Sequence, residues 1–98
     1  MSHQDFYIVR TYSAGVFAGN IASRSDDGKR IVMNNAIRLW YWNGAFTLSA
    51  LAQVGTSKPK ECKFAMPVDE IELTEAIEII KCTSQAEQSI KEARIWTH

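Results

Sequence analysis

Turn signals fall about ten residues apart along the first part of the chain, a spacing that favours short antiparallel strands over helices. Ser13-Ala14-Gly15, Ser25-Asp26-Asp27-Gly28, Asn34-Asn35 and Asn43-Gly44 supply them. The runs between them, Phe6 to Tyr12, Val16 to Ser23, Arg30 to Asn34 and Ile37 to Trp42, are rich in aromatic and β-branched residues. Such residues suit a pleated strand. Gly28 fits the positive φ of a hairpin turn. Gly19, inside the second run, marks a bulge or a close backbone approach. Four antiparallel strands joined by short turns make a meander, which at this size curls into a small barrel or half-barrel.

The second half adds two helices. Leu48, Leu51 and Ala52 have one-face helical spacing, with Thr47 as N-cap and Gly55 as the terminating residue. Thr56 to Glu61 is a loop, and Lys63 to Met66 a short strand stopped by Pro67. From Glu70 to Lys81, Ile71, Leu73, Ile77 and Ile79 alternate with polar residues until Glu75 breaks the pattern, which predicts a strand bent near Thr74–Ala76. Ser84-Gln85-Ala86-Glu87 matches a capping box and opens a helix to about Ala93. Arg94 to Trp96 returns as a short extended segment. The expected class is α+β, a strongly bent antiparallel sheet or small half-barrel of five or six strands with two short helices.

The 98 residues suit a single domain over 1–98. The formal net charge is zero, so no global basic excess draws the chain to nucleic acid. That zero is uneven: Met1 to Lys63 carries eight Lys and Arg against four acids, and Phe64 to His98 three against seven. Folding either interleaves the two halves or gathers the basic half into a patch. Two cysteines, Cys62 and Cys82, cannot form a disulfide scaffold, and the polar, acid-containing start is no signal peptide. No segment is long and apolar enough to span a membrane. The expected location is cytoplasmic, with reduced thiols.

The chemistry of the side chains argues against an enzyme. Both histidines, His3 and His98, sit at the termini, which removes the default general base. The cysteines have no zinc-ligand spacing, and the glycines match no phosphate loop. Neither a metal nor a cofactor is expected. Acids at 70, 72, 75 and 78 read as the solvent face of a strand.

The informative stretch is Ala36 to Ala52, AIRLWYWNGAFTLSALA. If Ile37, Leu39 and Tyr41 face the core, period two places Arg38, Trp40 and Trp42 in a row on the other face. An Arg beside two Trp suits stacking a base, gripping a phosphate or anchoring a protein partner. The alternative buries the tryptophans and turns Tyr41 outward. Arg10, Tyr12 and Ser13 form a second group, which converges on Arg38 if the first and fourth strands are neighbours. The helix N-terminus near Ser49 follows the aromatic strand and favours an anion.

YIVRTYSAGVFAG (7–19), the stretch from Asn34 to Phe64 and LTEAIEIIKCTSQAEQSI (73–90) resemble a family of small proteins encoded by tailed bacteriophages and prophages. The resemblance implies a phage accessory protein acting in the bacterial cytoplasm. It assigns no site residue. Such a protein is expected to bind and block a host component, and sequestration of a small anionic nucleotide-like defence signal (anti-defence) fits the Arg and aromatic residues best. Single-stranded nucleic-acid binding is the less favoured alternative. Ten aromatics and an exposed sheet edge further predict a homodimer.

Overall fold

The computed structural model describes residues 5–42, 44 and 47–93. Its strands are β1 (Phe6–Thr11), β2 (Val16–Arg24), β3 (Ile31–Tyr41), β4 (Lys63–Phe64), β5 (Val68–Leu73) and β6 (Ala76–Lys81). Its helices are α1 (Leu48–Val54) and α2 (Ser84–Glu92), with a 3-10 turn at Pro59–Glu61. All strand pairings are antiparallel, in the order β4-β3-β2-β1-β6, and β5 pairs the first half of β3 beside β4. This is the bent α+β sheet with two short helices that the turn spacing predicts.

The bend lies where Glu75 interrupts the apolar alternation. Only Thr74 and Glu75 separate β5 from β6, yet β5 runs along β3 while β6 runs along β1. Tyr12 N donates to Glu75 O (2.9 Å) and Ala76 N to Lys29 O (3.0 Å), so the corner is tied to the ends of two hairpins. One nearly continuous segment thereby curls the sheet without closing it.

Curling gives the sheet two separately buried faces. On the convex face Phe6, Ile8, Ala18, Ile37, Leu39 and Phe64 pack under Leu51 and Ala52 of α1 and Ala86 and Ile90 of α2. On the concave face Val9, Phe17, Ile31, Met33, Ala36, Leu73 and Ala76 bury one another without a helix. Folding also interleaves the uneven charges: Arg10 pairs with Glu78 (2.9 Å), Arg30 with Glu72 (3.2 Å) and Lys81 with Asp5 (3.4 Å).

Two local expectations are corrected. Asn34-Asn35 is not a turn, because β3 runs through it as one eleven-residue strand. Asn35 adopts φ +52°, and the pairing with β2 slips by one residue between Ala18 and Asn20, which makes a bulge. The third and fourth predicted strands are therefore one. The N-cap of α2 is Thr83 rather than Ser84: Thr83 Oγ1 accepts from Ala86 N (3.1 Å) and donates to Gln53 O (2.6 Å). Thr83 N also donates to Ala52 O (2.9 Å), so the end of α1 selects which hydroxyl caps α2. Glu87, the other half of the expected box, instead pairs with Lys91 (2.6 Å). Thr47 and Gly55 flank α1 as predicted, with Thr47 Oγ1 accepting from Ala50 N (3.0 Å). His3, His98 and the Arg94–Trp96 segment lie outside the described residues.

Gly19 fits the predicted close approach. A Cβ at this position would sit 3.0 Å from Ala36 Cα and from Asn34 O, and 3.1 Å from Asn35 O, all backbone atoms of the bulge. Gly19→Ala is expected to lower stability by about 1–3 kcal/mol in urea unfolding, the cost of overpacking a site that cannot yield. The exposed Gly15, with nothing within 4 Å of its Cβ position, meets no such contact.

Candidate functional site

The bulge decides which way the aromatic end of β3 points. Ile31 and Met33 serve the concave core, but after Asn35 it is Ala36 that serves it, while Ile37 and Leu39 turn to the helix side. Arg38 and Trp40 therefore lie on the concave face. Arg38 is the Cα partner of Phe17 on β2. Its Cζ stands 4.7 Å from the centre of the Phe17 ring and 5.1 Å from that of Trp40, both within cation–π range.

These three side chains form one wall of a pocket of about 210 Å³, completed by Ala36, Ala65, Met66, Val68 and Ile71. Ala65 N donates to Arg38 O (3.0 Å) and fixes the segment after β4 against β3. β4 ends at Phe64, so the strand expected over Lys63 to Met66 stops before Met66, which lines the pocket at its rim, and before Pro67. Trp40 is 56% exposed, Met66 68% and Val68 45%, so the pocket opens through an apolar rim. Apart from Arg38, every lining residue is apolar.

Arg38 differs from the other cations. Among the described residues it is the one Lys or Arg that is not exposed. Its guanidinium has no ion pair and no hydrogen bond to another described residue, so its contacts are the two rings. Its nitrogens are still open to solvent, because the described residues contain no buried side-chain nitrogen or oxygen without a partner. A planar group with five donors, held on two rings with its edges free, is prepared to bind an anion.

The other residues singled out from the sequence lie elsewhere. Trp42 packs against the helix-side core instead of joining Arg38 and Trp40. The β3–β4 register shifts between Leu39 and Tyr41, and β3 ends at Tyr41, so strand alternation no longer holds at Trp42. Tyr41 is half exposed. Arg10 alternates with Phe6 and Ile8, which serve the helix side, and is bound to its β6 partner Glu78. It does not converge on Arg38, from which β2 also separates it. Tyr12 is 78% exposed in the β1–β2 turn, where Ser13 Oγ donates to Glu75 Oε1 (2.6 Å). Ser49 is exposed on α1, which packs on the helix side of the sheet, away from the pocket. Phe17, Met66, Val68 and Ile71 were not anticipated. The one available signal was a Met placed next to Pro67, since Phe17 is reached only through a register that the bulge sets.

No cluster of three or more His, Cys, Asp or Glu among the described residues could hold a metal ion. No helix among them is long and apolar enough to cross a membrane. Both cysteines are buried thiols. Burial, and secondarily the charge of Glu87, push the Cys82 thiol up to about 12, which keeps it protonated at neutral pH. An unfolded thiol ionises near 8.5. Between these two values the unfolded chain has released a proton that the folded chain retains, so this group's contribution to stability falls as pH rises. The stability advantage of the native chain over Cys82→Ala is therefore expected to narrow from about pH 8.5 to about pH 12, as followed by urea midpoints.

Residues 5–90 match a family model described as a domain of unknown function (DUF6948). No curated protein and no solved structure matches the chain.

Proposed function

For this chain, which belongs to the DUF6948 family, we propose a non-catalytic role: it captures a partner protein in the concave pocket around Arg38 and Trp40. The observation that carries this reading is the unpaired guanidinium held on Phe17 and Trp40 inside an apolar rim. Trp and Arg are over-represented at the energetic centres of protein interfaces, and Met is enriched in interfaces generally. The resemblance over residues 7–19, 34–64 and 73–90 supports a phage accessory protein that blocks a host protein in the bacterial cytoplasm. Sequestration of a nucleotide signal is the less favoured reading, because Arg10 is engaged by Glu78 and Ser49 lies on the other face. That leaves one cation in the pocket. The zero net charge likewise disfavours a surface that tracks a phosphate backbone.

The test is affinity capture from host lysate with native protein, Arg38→Gln and Trp40→Ala in parallel. The partner held by native protein is expected to be lost from both variants. Arg38→Gln should change stability by less than about 1 kcal/mol, since a partly exposed cation–π contact contributes little more. A partner retained by both stable variants sinks the reading.

Self-association would use the opposite edge of the sheet. Cys82 N donates to Phe6 O (2.8 Å), so alternation along β6 leaves the backbone groups of Ile79 and Lys81 pointing away from β1. Ile77 is 53% exposed on this edge, which no other described strand pairs. By contrast, β5 carries Asp69, Glu70 and Glu72, charges that oppose self-pairing. A homodimer through β6 is expected to give a mass that rises with concentration in analytical ultracentrifugation and a monomer for Ile77→Lys. A monomer mass at every concentration contradicts it.

A further inference from the structure

Building on the reading of the pocket as the binding site, we infer that its ligand is a carboxylate carried a short link away from a single apolar group of aromatic size. Three features define that chemistry. The first is volume. A cavity of about 150 Å³ accepts one benzene ring, whereas drug-sized ligands occupy about 300–1,000 Å³. At about 210 Å³ the pocket holds one ring with a short substituent and is too small to enclose a whole nucleotide.

The second feature is the donor set. Arg38 supplies the one charged group in the wall, and Phe17, Ala36, Trp40, Ala65, Met66, Val68 and Ile71 supply carbon surface. The flat guanidinium matches a carboxylate with two parallel N–H···O bonds. Because the rings of Phe17 and Trp40 already hold it, less side-chain freedom is lost on binding. The apolar part of the ligand then lies against Trp40 and Met66, whose exposed area it covers.

The third feature is the sign and size of the local charge. Val68 lines the pocket, and the next residues along β5 are Asp69 and Glu70, both exposed. A phosphate is close to dianionic at neutral pH. The pocket lining holds one cation and no carboxylate, which balances a monoanion but not a dianion. The chemistry is shared by the last residue of a partner chain, by an internal acidic residue beside an aromatic one, and by a free small acid.

Titration by heteronuclear NMR, with 3-phenylpropionate, 3-phenylpropionamide and adenosine monophosphate as probes, tests the assignment on native protein and on Arg38→Gln. The acid is expected to shift the Trp40 indole and Arg38 signals, with the amide weaker by at least about tenfold. Arg38→Gln should bind acid and amide alike, and adenosine monophosphate no more tightly than the acid. Peptides ending in -Leu-Phe with a free or an amidated terminus, and one with an internal Asp-Phe, then separate the possible sources. An amide equal to the acid, tighter binding of adenosine monophosphate, or no shift from any probe at 10 mM overturns the inference. Equal acid and amide binding at these signals, with partner capture still lost in Trp40→Ala, would reject the ligand class and leave the pocket standing. Partner capture unaffected by Trp40→Ala and Arg38→Gln would reject the pocket itself.

Discussion

The left-handed turn of the backbone at Asn35 is the constraint on which the rest of this molecule depends. Without it, period two would keep Ile31, Met33, Ile37 and Leu39 on one face, and the convex side of β3 would present Val32, Arg38 and Trp40 to the helices. With it, one strand supplies Ile31 and Met33 to the concave core and Ile37 and Leu39 to the core beneath α1 and α2. The slip also brings Arg38 opposite Phe17. Asn tolerates this φ better than most residues. Gly19 makes room for it from the neighbouring strand.

The two cores have different means of closure, and the difference locates the site. The convex core is capped by helices whose ends are held by specific bonds, Thr83 to Ala52 O and Gln53 O, and Thr56 N to Ser89 Oγ (3.0 Å). A Cβ on Gly55 would lie 2.4 Å from Ser89 Cβ, so the end of α1 meets the Ser89 side chain of α2 too closely for any residue but glycine. Among the described residues no helix covers the concave core. It is shut only where the chain turns from β5 into β6, and towards Phe17 and Trp40 it opens as the pocket. An apolar face that a sheet can bury only in part by curling leaves its remainder available to a ligand.

The sequence made the strands, the α1 caps, the bend at Thr74–Ala76 and the close approach at Gly19 legible, because each depends on chemistry within a few residues. Asn34-Asn35 was misjudged for a physical reason. Asn in the left-handed region serves a turn and a bulge equally well, and only pairing with β2 and β5, distant in sequence, decides between them. Thr83 and Ser84 are likewise both good caps, and contacts with α1 select the first. The strand pattern alone places Arg38 and Trp40 on one face, whereas Trp42 lies one residue beyond the point where that pattern ends. Arg10 was grouped with Arg38 on the assumption that their strands are neighbours. The single long β3, with β2 between it and β1, removes that adjacency.

The uneven charge of the two halves acquires its meaning from this topology. Because the acidic segment supplies β5 and β6, it runs along both β3 and β1, and Arg30 and Arg10 find Glu72 and Glu78 across the strands. These exposed pairs contribute little to stability, about 0–1 kcal/mol each, but they cancel the field that a basic patch would need. Arg38 escapes cancellation because its strand position faces inward, towards rings instead of carboxylates. A partly buried cation retains a desolvation cost that cation–π contacts offset only in part, and an anion in the pocket would offset more of it than water does. The net charge of zero therefore coexists with a cation in an apolar recess, where a single carboxylate is enough to neutralise it.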